Sequence, residues 1–236
     1  MEFVVRRFDS LDSTNRYLLD EARAGAPAGL VAVADHQTAG RGRRGRTWLA
    51  PPGASLLVSV LLRPQLPPGR AQLCTMAAGV ALAEAVRQVA DFAPDLKWPN
   101  DLLARDRKLA GLLAEADGDA LVVGAGLNVQ WDEFPEEIAA LATACNIEAG
   151  RPVDRDEVLD AFLDRLGDRV ADPEGTAARY RDRLATLGRR VRVEQADGDL
   201  HGVARDLGPV GELLVERDDG ELVAVHAGDV VHLRGA

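Results

Sequence analysis

The chain has 236 residues, 47% of them hydrophobic and 28% charged, which is enough apolar matter for one large core with a small second unit and too much for a disordered protein. A formal net charge of -10 opposes wholesale attraction to nucleic acid or an anionic membrane, so any anion site must be a local exception. No apolar run reaches membrane-crossing length, the opening Met1–Arg7 lacks a signal peptide's apolar stretch, and a cytoplasmic protein is expected. The two cysteines, Cys74 and Cys145, and the four histidines fall in no metal-ligand or disulfide pattern.

In chain order, Phe3–Phe8 reads as a strand. Tyr17, Leu18, Leu19 and Ala22 then recur at helical spacing, with Asp12, Ser13 or Thr14 as N-cap and Gly25 as terminator. Residues 29–35 and Ser55–Leu62 are apolar, β-branched runs that read as buried strands. The alanine-rich stretch Arg70–Val89 predicts a helix packed on the sheet. Strands follow at Leu96–Trp98, Lys108–Glu115 and Leu121–Val129. Asp154 and Glu157 have capping-box spacing ahead of a helix, and a second helix carrying Tyr180, Leu184 and Leu187 is expected after a break at Pro173-Glu174-Gly175. Beyond Gly188 the texture changes to short strands at 191–193, Leu213–Glu216 and Leu222–Val225, with turn signals at Asp197-Gly198 and Asp219-Gly220. The expected fold is a mixed α/β body over residues 1–187 followed by a small β-barrel over 188–236.

Four segments carry chemistry. Between the second and third strands, Arg41, Arg43, Arg44 and Arg46 alternate with Gly40, Gly42 and Gly45, ahead of Trp48. Glycines allow close backbone approach, and guanidinium groups donate paired hydrogen bonds to carboxylate and phosphate oxygens. The clustered cations should repel one another and leave the loop mobile until an anion supplies countercharge. A solvated or nucleic-acid-contacting loop would have the same composition. Lys97-Trp98-Pro99-Asn100-Asp101 ends a strand with an amide beside a carboxylate; Asp101 suits a magnesium ion next to phosphates, although such a pair is also a common turn. Lys108-Leu109-Ala110-Gly111 opens an apolar strand with a lysine, and a strand glycine such as Gly111 suits a flat ring lying against it. Gly124-Ala125-Gly126-Leu127-Asn128 ends another strand with small residues and an amide, a pattern that packing alone also produces.

Taken together with Ser13-Thr14-Asn15, these segments resemble, in the same order, the catalytic elements of the biotin–protein ligase family, over roughly residues 8–130. The resemblance implies a class II synthetase-like mixed sheet, a C-terminal SH3-like domain, and formation of biotinyl-adenylate from biotin and ATP. Transfer of biotin to a lysine of a carboxyl carrier domain would follow. It implies that Ser13, Thr14, Asn15, Gln37, Gly40, Arg41, Gly42, Arg43, Lys108, Gly111 and Gly124 face biotin. Arg43, Arg44, Arg46, Trp48, Lys97, Asn100, Asp101 and Asn128 would face ATP, with Lys108, Arg43 and Asp101 catalytic and Asp101 beside Mg2+. Because the motifs begin at Ser13, no DNA-reading domain is expected; a homodimer is compatible with this reading, and neither DNA nor membrane is an expected partner. Ala142-Thr143-Ala144-Cys145 departs from the family pattern, which leads one to expect serine at its third position, and this affects the far wall of the nucleotide pocket. A lipoate–protein ligase and a non-catalytic nucleic-acid-binding protein are the alternatives.

Overall fold

A computed structural model describes residues 1–64, 71–195 and 198–233. Arg70 and Asp197, named above at a helix start and in a turn, lie outside the described residues. The main body is a seven-stranded sheet built from β1 (Val4–Leu11), β2 (Leu30–Gln37), β3 (Ser55–Leu62), β4 (Asp95–Lys97), β5 (Asp101–Ala104), β6 (Arg107–Asp117) and β7 (Ala120–Asn128). Their order is β1-β2-β3-β7-β6-β5-β4, with β1 and β2 parallel and the other pairs antiparallel. Six helices accompany it among the described residues: α1 (Thr14–Arg23), α2 (Ala71–Ala90), α3 (Glu136–Ala139), α4 (Cys145–Ala149), α5 (Arg155–Ala171) and α6 (Pro173–Asp182).

β3 is buried along its whole length because both faces are covered. Alternate side chains go to opposite sides. Leu56, Val58, Val60 and Leu62 join the cluster around α2 and α5, whereas Leu61 joins Leu18, Leu19 and Ala22 of α1. α1 starts where Ser13, in extended conformation, accepts a hydrogen bond from the Arg16 amide, a cap worth about 1 kcal/mol. It stops before Gly25, whose φ of +90° only glycine adopts easily. α2 is long and apolar enough to cross a membrane by length and composition, contrary to the expectation that no such run exists. Here it is the core helix, with 14 of its residues buried from Leu73 to Ala90.

Three departures from the sequence reading have local causes. Asp101–Ala104 is a strand and not merely a turn, since β6 offers it a free edge in antiparallel register. Pro173-Glu174-Gly175 is the first turn of α6 and not a break: proline is tolerated at the start of a helix, and Asp172 caps the Gly175 amide. Asp154 caps α5 as expected, accepting from the amides of Asp156 and Glu157, without the return bond from Glu157 among the described residues. Leu96–Trp98 ends one residue early, at Lys97, followed by a cis Trp98–Pro99 bond.

The C-terminal SH3-like part is a five-stranded antiparallel sheet of β8 (Arg190–Glu194), β9 (Leu200–Leu207), β10 (Leu213–Glu216), β11 (Leu222–Val225) and β12 (Asp229–His232), ordered β11-β10-β9-β8-β12. β9 and β12 were absent from the sequence reading because polar residues interrupt their apolar alternation. Val191, Val193, Ala204, Val215 and Val230 belong to the same apolar cluster as the main sheet, so the two sheets share a core. A hydrogen bond from the Trp98 indole to the Gly211 carbonyl (2.9 Å) fastens the seam.

Candidate active site

One cavity of about 430 Å³ opens over the middle of the main sheet. It collects Ser13, Thr14, Asn15, Gln37, Arg41, Gly42, Arg43, Arg46, Trp48, Asn100, Lys108, Gly111, Gly124 and Asn128 from segments far apart in sequence. Gly40, Arg44, Lys97 and Asp101 do not line it and act around its margin.

The floor is uncharged. At the start of α1, Gln37 Oε1 accepts from the Thr14 amide (2.8 Å) and hydroxyl (3.1 Å). The buried Ser59 hydroxyl lies 2.6 Å from Asn15 Oδ1 and 2.7 Å from Thr14 Oγ1, and Asn15 Nδ2 donates to the Leu113 carbonyl and Glu115. Gly124 is required here: a Cβ would stand 2.1 Å from Asn15 Oδ1. Gly111 and Gly126 pair across β6 and β7, and the indole of Trp48 lies on both. A Cβ would stand 2.5 Å from the ring at Gly126 and 3.2 Å from it at Gly111. The flat ring that Gly111 accommodates is thus Trp48, whose buried Nε1 has no hydrogen-bond partner among the described residues.

The arginine segment is a strap folded as a hairpin. The Trp48 amide donates to the Gly40 carbonyl, Arg41 bridges to Thr47, and Arg43–Gly45 makes one tight 3-10 turn with Arg44 and Gly45 at positive φ. A Cβ on Gly40 would meet the Trp48 carbonyl at 2.4 Å, which closes the neck. The countercharge expected from a ligand is already supplied by the protein. Arg41 pairs with Glu115 (2.9 Å), and Arg43, Arg44 and Arg46 converge on Asp229 of β12. Burial lowers the Arg43 pKa against the opposing pull of Asp229 and Asp101. Arg43 also donates to Asn100 Oδ1 (3.2 Å), while Asn100 Nδ2 donates to the Leu112 carbonyl (2.6 Å).

Lys108 stands at the junction of floor and strap. Its Nζ lies 2.8 Å from Asp101 Oδ1 and 5.8 Å from the Trp48 ring centre. Its backbone is gripped on both sides, donating to the Leu141 carbonyl (2.7 Å) and accepting from the Thr143 amide (2.9 Å). Lys97 sits behind this pair, and burial lowers its pKa. Asp101 Oδ1 pairs with Lys108 Nζ at 2.8 Å, and because a carboxylate oxygen has a second lone pair it keeps an acceptor direction free. Among the described residues no three His, Cys, Asp or Glu side chains gather to hold a metal. One carboxylate with a spare direction fits magnesium that arrives on substrate phosphates, which is how that ion usually binds.

The far wall lay beyond the motifs. Trp131 and Phe134 stack at 4.3 Å, and with Ile138, Leu141 and Ala142 they line the cavity. Asn128 lines it too, but its amide already donates to the Thr143 carbonyl (3.0 Å) and accepts from Ser55 (3.3 Å). Sequence reasoning reached this wall only at Ala142; the signal for the rest is the pair of aromatics in residues 131–134 directly after Asn128.

Residues 7–132 match the family model described as biotin/lipoate A/B protein ligase, and residues 186–233 match the biotin protein ligase C terminal domain. The chain is 43% identical over 233 residues to a biotin–[acetyl-CoA-carboxylase] ligase of Mycobacterium tuberculosis, covering 94% of this chain and 86% of that protein. This chain belongs to the biotin protein ligase family. It is 34% identical to the bifunctional ligase/repressor BirA of Escherichia coli, over 96% of this chain and 73% of BirA. A biotin protein ligase from Aquifex aeolicus, solved in complex with biotin and ATP, superposes with a TM-score of 0.86 at 29% identity, covering 98% of this chain and 99% of that one. The family's two-part architecture is therefore the architecture described above.

Proposed function

We propose that this biotin protein ligase joins biotin to ATP and transfers the biotinyl group to a lysine of a carboxyl carrier domain, as expected for acetyl-CoA carboxylase or a related carboxylase. The observation that carries this reading is Lys108 standing where a closed uncharged floor meets a cage of arginines. The first suits a small neutral ring system with amide-like edges, and the second suits phosphates. Ser13, Thr14, Asn15, Gln37 and Gly124 are assigned to the ring, while Gly111, which the sequence reading also gave to biotin, is covered by the Trp48 indole. Arg41, Gly42 and Arg43 cover the acyl chain and the adenylate, and Arg44, Arg46, Lys97, Asn100 and Asp101 are assigned to the nucleotide side. Asn128 serves there by holding the far wall through Thr143. Trp48 closes the cavity from above.

In the first step a biotin carboxylate oxygen attacks the α-phosphorus of ATP, the bond to the bridging oxygen breaks, and pyrophosphate leaves. Lys108 and Arg43 neutralise charge that grows on the phosphoryl oxygens. Asp101 would hold magnesium arriving on the phosphates, which would supply further neutralisation. Asp101 orients Lys108. The strap shields the mixed anhydride from water. The carrier amine then attacks the acyl carbon, AMP leaves with the anhydride oxygen, and the amine proton passes to Asp101. We place the division between the catalytic and SH3-like domains at residues 187 and 188, and the site of action in the cytoplasm.

Exchange of labelled pyrophosphate into ATP that depends on biotin tests the reading. Exchange with lipoate and none with biotin would turn the assignment to a lipoate ligase. No exchange with either acid would remove the adenylation chemistry.

A further inference from the structure

The three arginines that point at the nucleotide side share a single carboxylate, and that carboxylate belongs to the other sheet. Asp229 opens β12 with only 19% of its side chain exposed. Its oxygens lie 2.9 Å from Arg46 Nη2, 3.4 Å from Arg43 Nη1 and 3.7 Å from Arg44 Nη1. Two backbone carbonyls complete the grip: Gly228 accepts from Arg43 at 3.2 Å and Glu194 accepts from Arg44 at 3.3 Å. Gly228 itself is tightly framed, since a Cβ there would meet Val193 Cγ1 at 2.6 Å. Among the described residues, Arg43, Arg44 and Arg46 have no other acidic partner within ion-pair distance.

We propose that Asp229 is a positioning residue for the nucleotide: an internal countercharge that keeps Arg43, Arg44 and Arg46 converged over the cavity and then yields them to the phosphates of ATP. This rests on reading the cavity as an ATP site. One carboxylate facing three guanidinium groups leaves two positive charges uncompensated. Like charges a few ångströms apart repel, so without Asp229 the strap has reason to splay. With Asp229 in place it is folded but under-neutralised. A triphosphate brings more charge and more acceptor oxygens than a carboxylate, and guanidinium groups bind it in paired hydrogen bonds, so it takes over the arginines without having to gather them. The C-terminal sheet thereby becomes part of the nucleotide site without needing to touch the nucleotide.

The test compares the wild-type chain with Asp229→Asn, which keeps the shape and removes the charge, and with Asp229→Glu, which restores it. In limited trypsinolysis of the ligand-free protein, Asp229→Asn is expected to be cut after Arg43, Arg44 or Arg46 roughly fivefold faster, and inorganic triphosphate should slow the cut in both proteins. In biotin-dependent pyrophosphate exchange, the KM for ATP should rise about tenfold while kcat and the KM for biotin stay within roughly twofold, and Asp229→Glu should recover most of the loss. Equal cleavage rates with an unchanged KM for ATP would overturn the proposal. So would a lowered KM for ATP, which would make Asp229 a competitor, or a parallel rise of both KM values with a lowered melting temperature, which would make it a structural brace. A wild-type protein without biotin-dependent exchange would defeat the functional reading alone, because the trypsin comparison still decides whether Asp229 holds the strap.

Discussion

The floor and the roof of the cavity are built on opposite principles. Thr14, Asn15, Gln37 and Ser59 on the floor are neutral, shielded and hydrogen-bonded to one another and, through Asn15, to the Leu113 carbonyl and Glu115, so their dipoles are already aimed before a ligand arrives. The roof is made of ions with partners that can be exchanged: Arg41 on Glu115, and Arg43, Arg44 and Arg46 on Asp229, several of them half exposed. Exposed ion pairs are worth about 0–1 kcal/mol, so releasing them costs little. A fixed floor selects the shape of a neutral ring; an exchangeable roof accepts an anion and can let its product go.

The largest effect should appear where the two halves meet. Lys108→Ala is expected to slow adenylate formation by about a hundredfold or more, the usual loss when one positioned donor to a charged transition state is removed. The melting temperature should hardly move, since among the described residues Nζ pairs only with Asp101 and it opens into the cavity. Near wild-type pyrophosphate exchange in a folded Lys108→Ala protein would remove the junction from the comparison. The next effect belongs to the floor. In Gly124→Ala the new Cβ must displace Asn15 Oδ1, at 2.1 Å, and crowd Ser59 Oγ, at 3.1 Å. We expect the KM for biotin to rise about tenfold and overpacking to cost roughly 1–3 kcal/mol of stability, with the KM for ATP changed far less. If both KM values rise together, floor and roof are not separable.

This asymmetry also explains what could be read in the sequence. The floor was legible because glycines at 111 and 124 and the cap at Ser13 each answer a local need: a close approach or an unpaired helix amide. The strap was legible in composition but not in state, because the partner of its arginines is Asp229, some 180 residues away on a strand that its own pattern does not announce. β12 escaped notice for the same reason as β9: on a small half-exposed sheet, polar residues such as Asp229 and His232 interrupt the apolar alternation. Of the far wall only Ala142 was legible, because Trp131, Phe134 and Leu141 act through stacking and backbone pairing with Lys108, which depend on tertiary neighbours and not on spacing.

The smallest expected effect concerns how the roof's anchoring strand is held to the body. His232, near the end of β12, has its Nδ1 3.3 Å from Arg189 Nη1 and its Nε2 3.1 Å from Thr186 Oγ1. Arginine can only donate, so Nδ1 is the acceptor and the ring's single proton sits on Nε2, pointing at Thr186. Burial, reinforced by Lys97 and Arg189, lowers the imidazole pKa from 6.5 to about 4. Above pH 6.5 the ring is neutral in both folded and unfolded chains, and its full contribution is present. As pH falls from 6.5 towards 4 the unfolded chain takes up a proton that the folded chain refuses, so stability is lost across that window and no further below it. Allowing for the ring's partial exposure, the loss is of order 1 kcal/mol. His232→Gln keeps a donor and an acceptor without the titration. Urea unfolding at a series of pH values should therefore show the wild type and His232→Gln diverging between pH 6.5 and 4, the wild type falling more steeply. Trypsin cleavage in the strap should accelerate in acid for the wild type more than for the variant, because β12 carries Asp229. Parallel stability curves for the two proteins would mean that His232 is not held neutral at this seam, and that acid reaches the roof through its carboxylates alone.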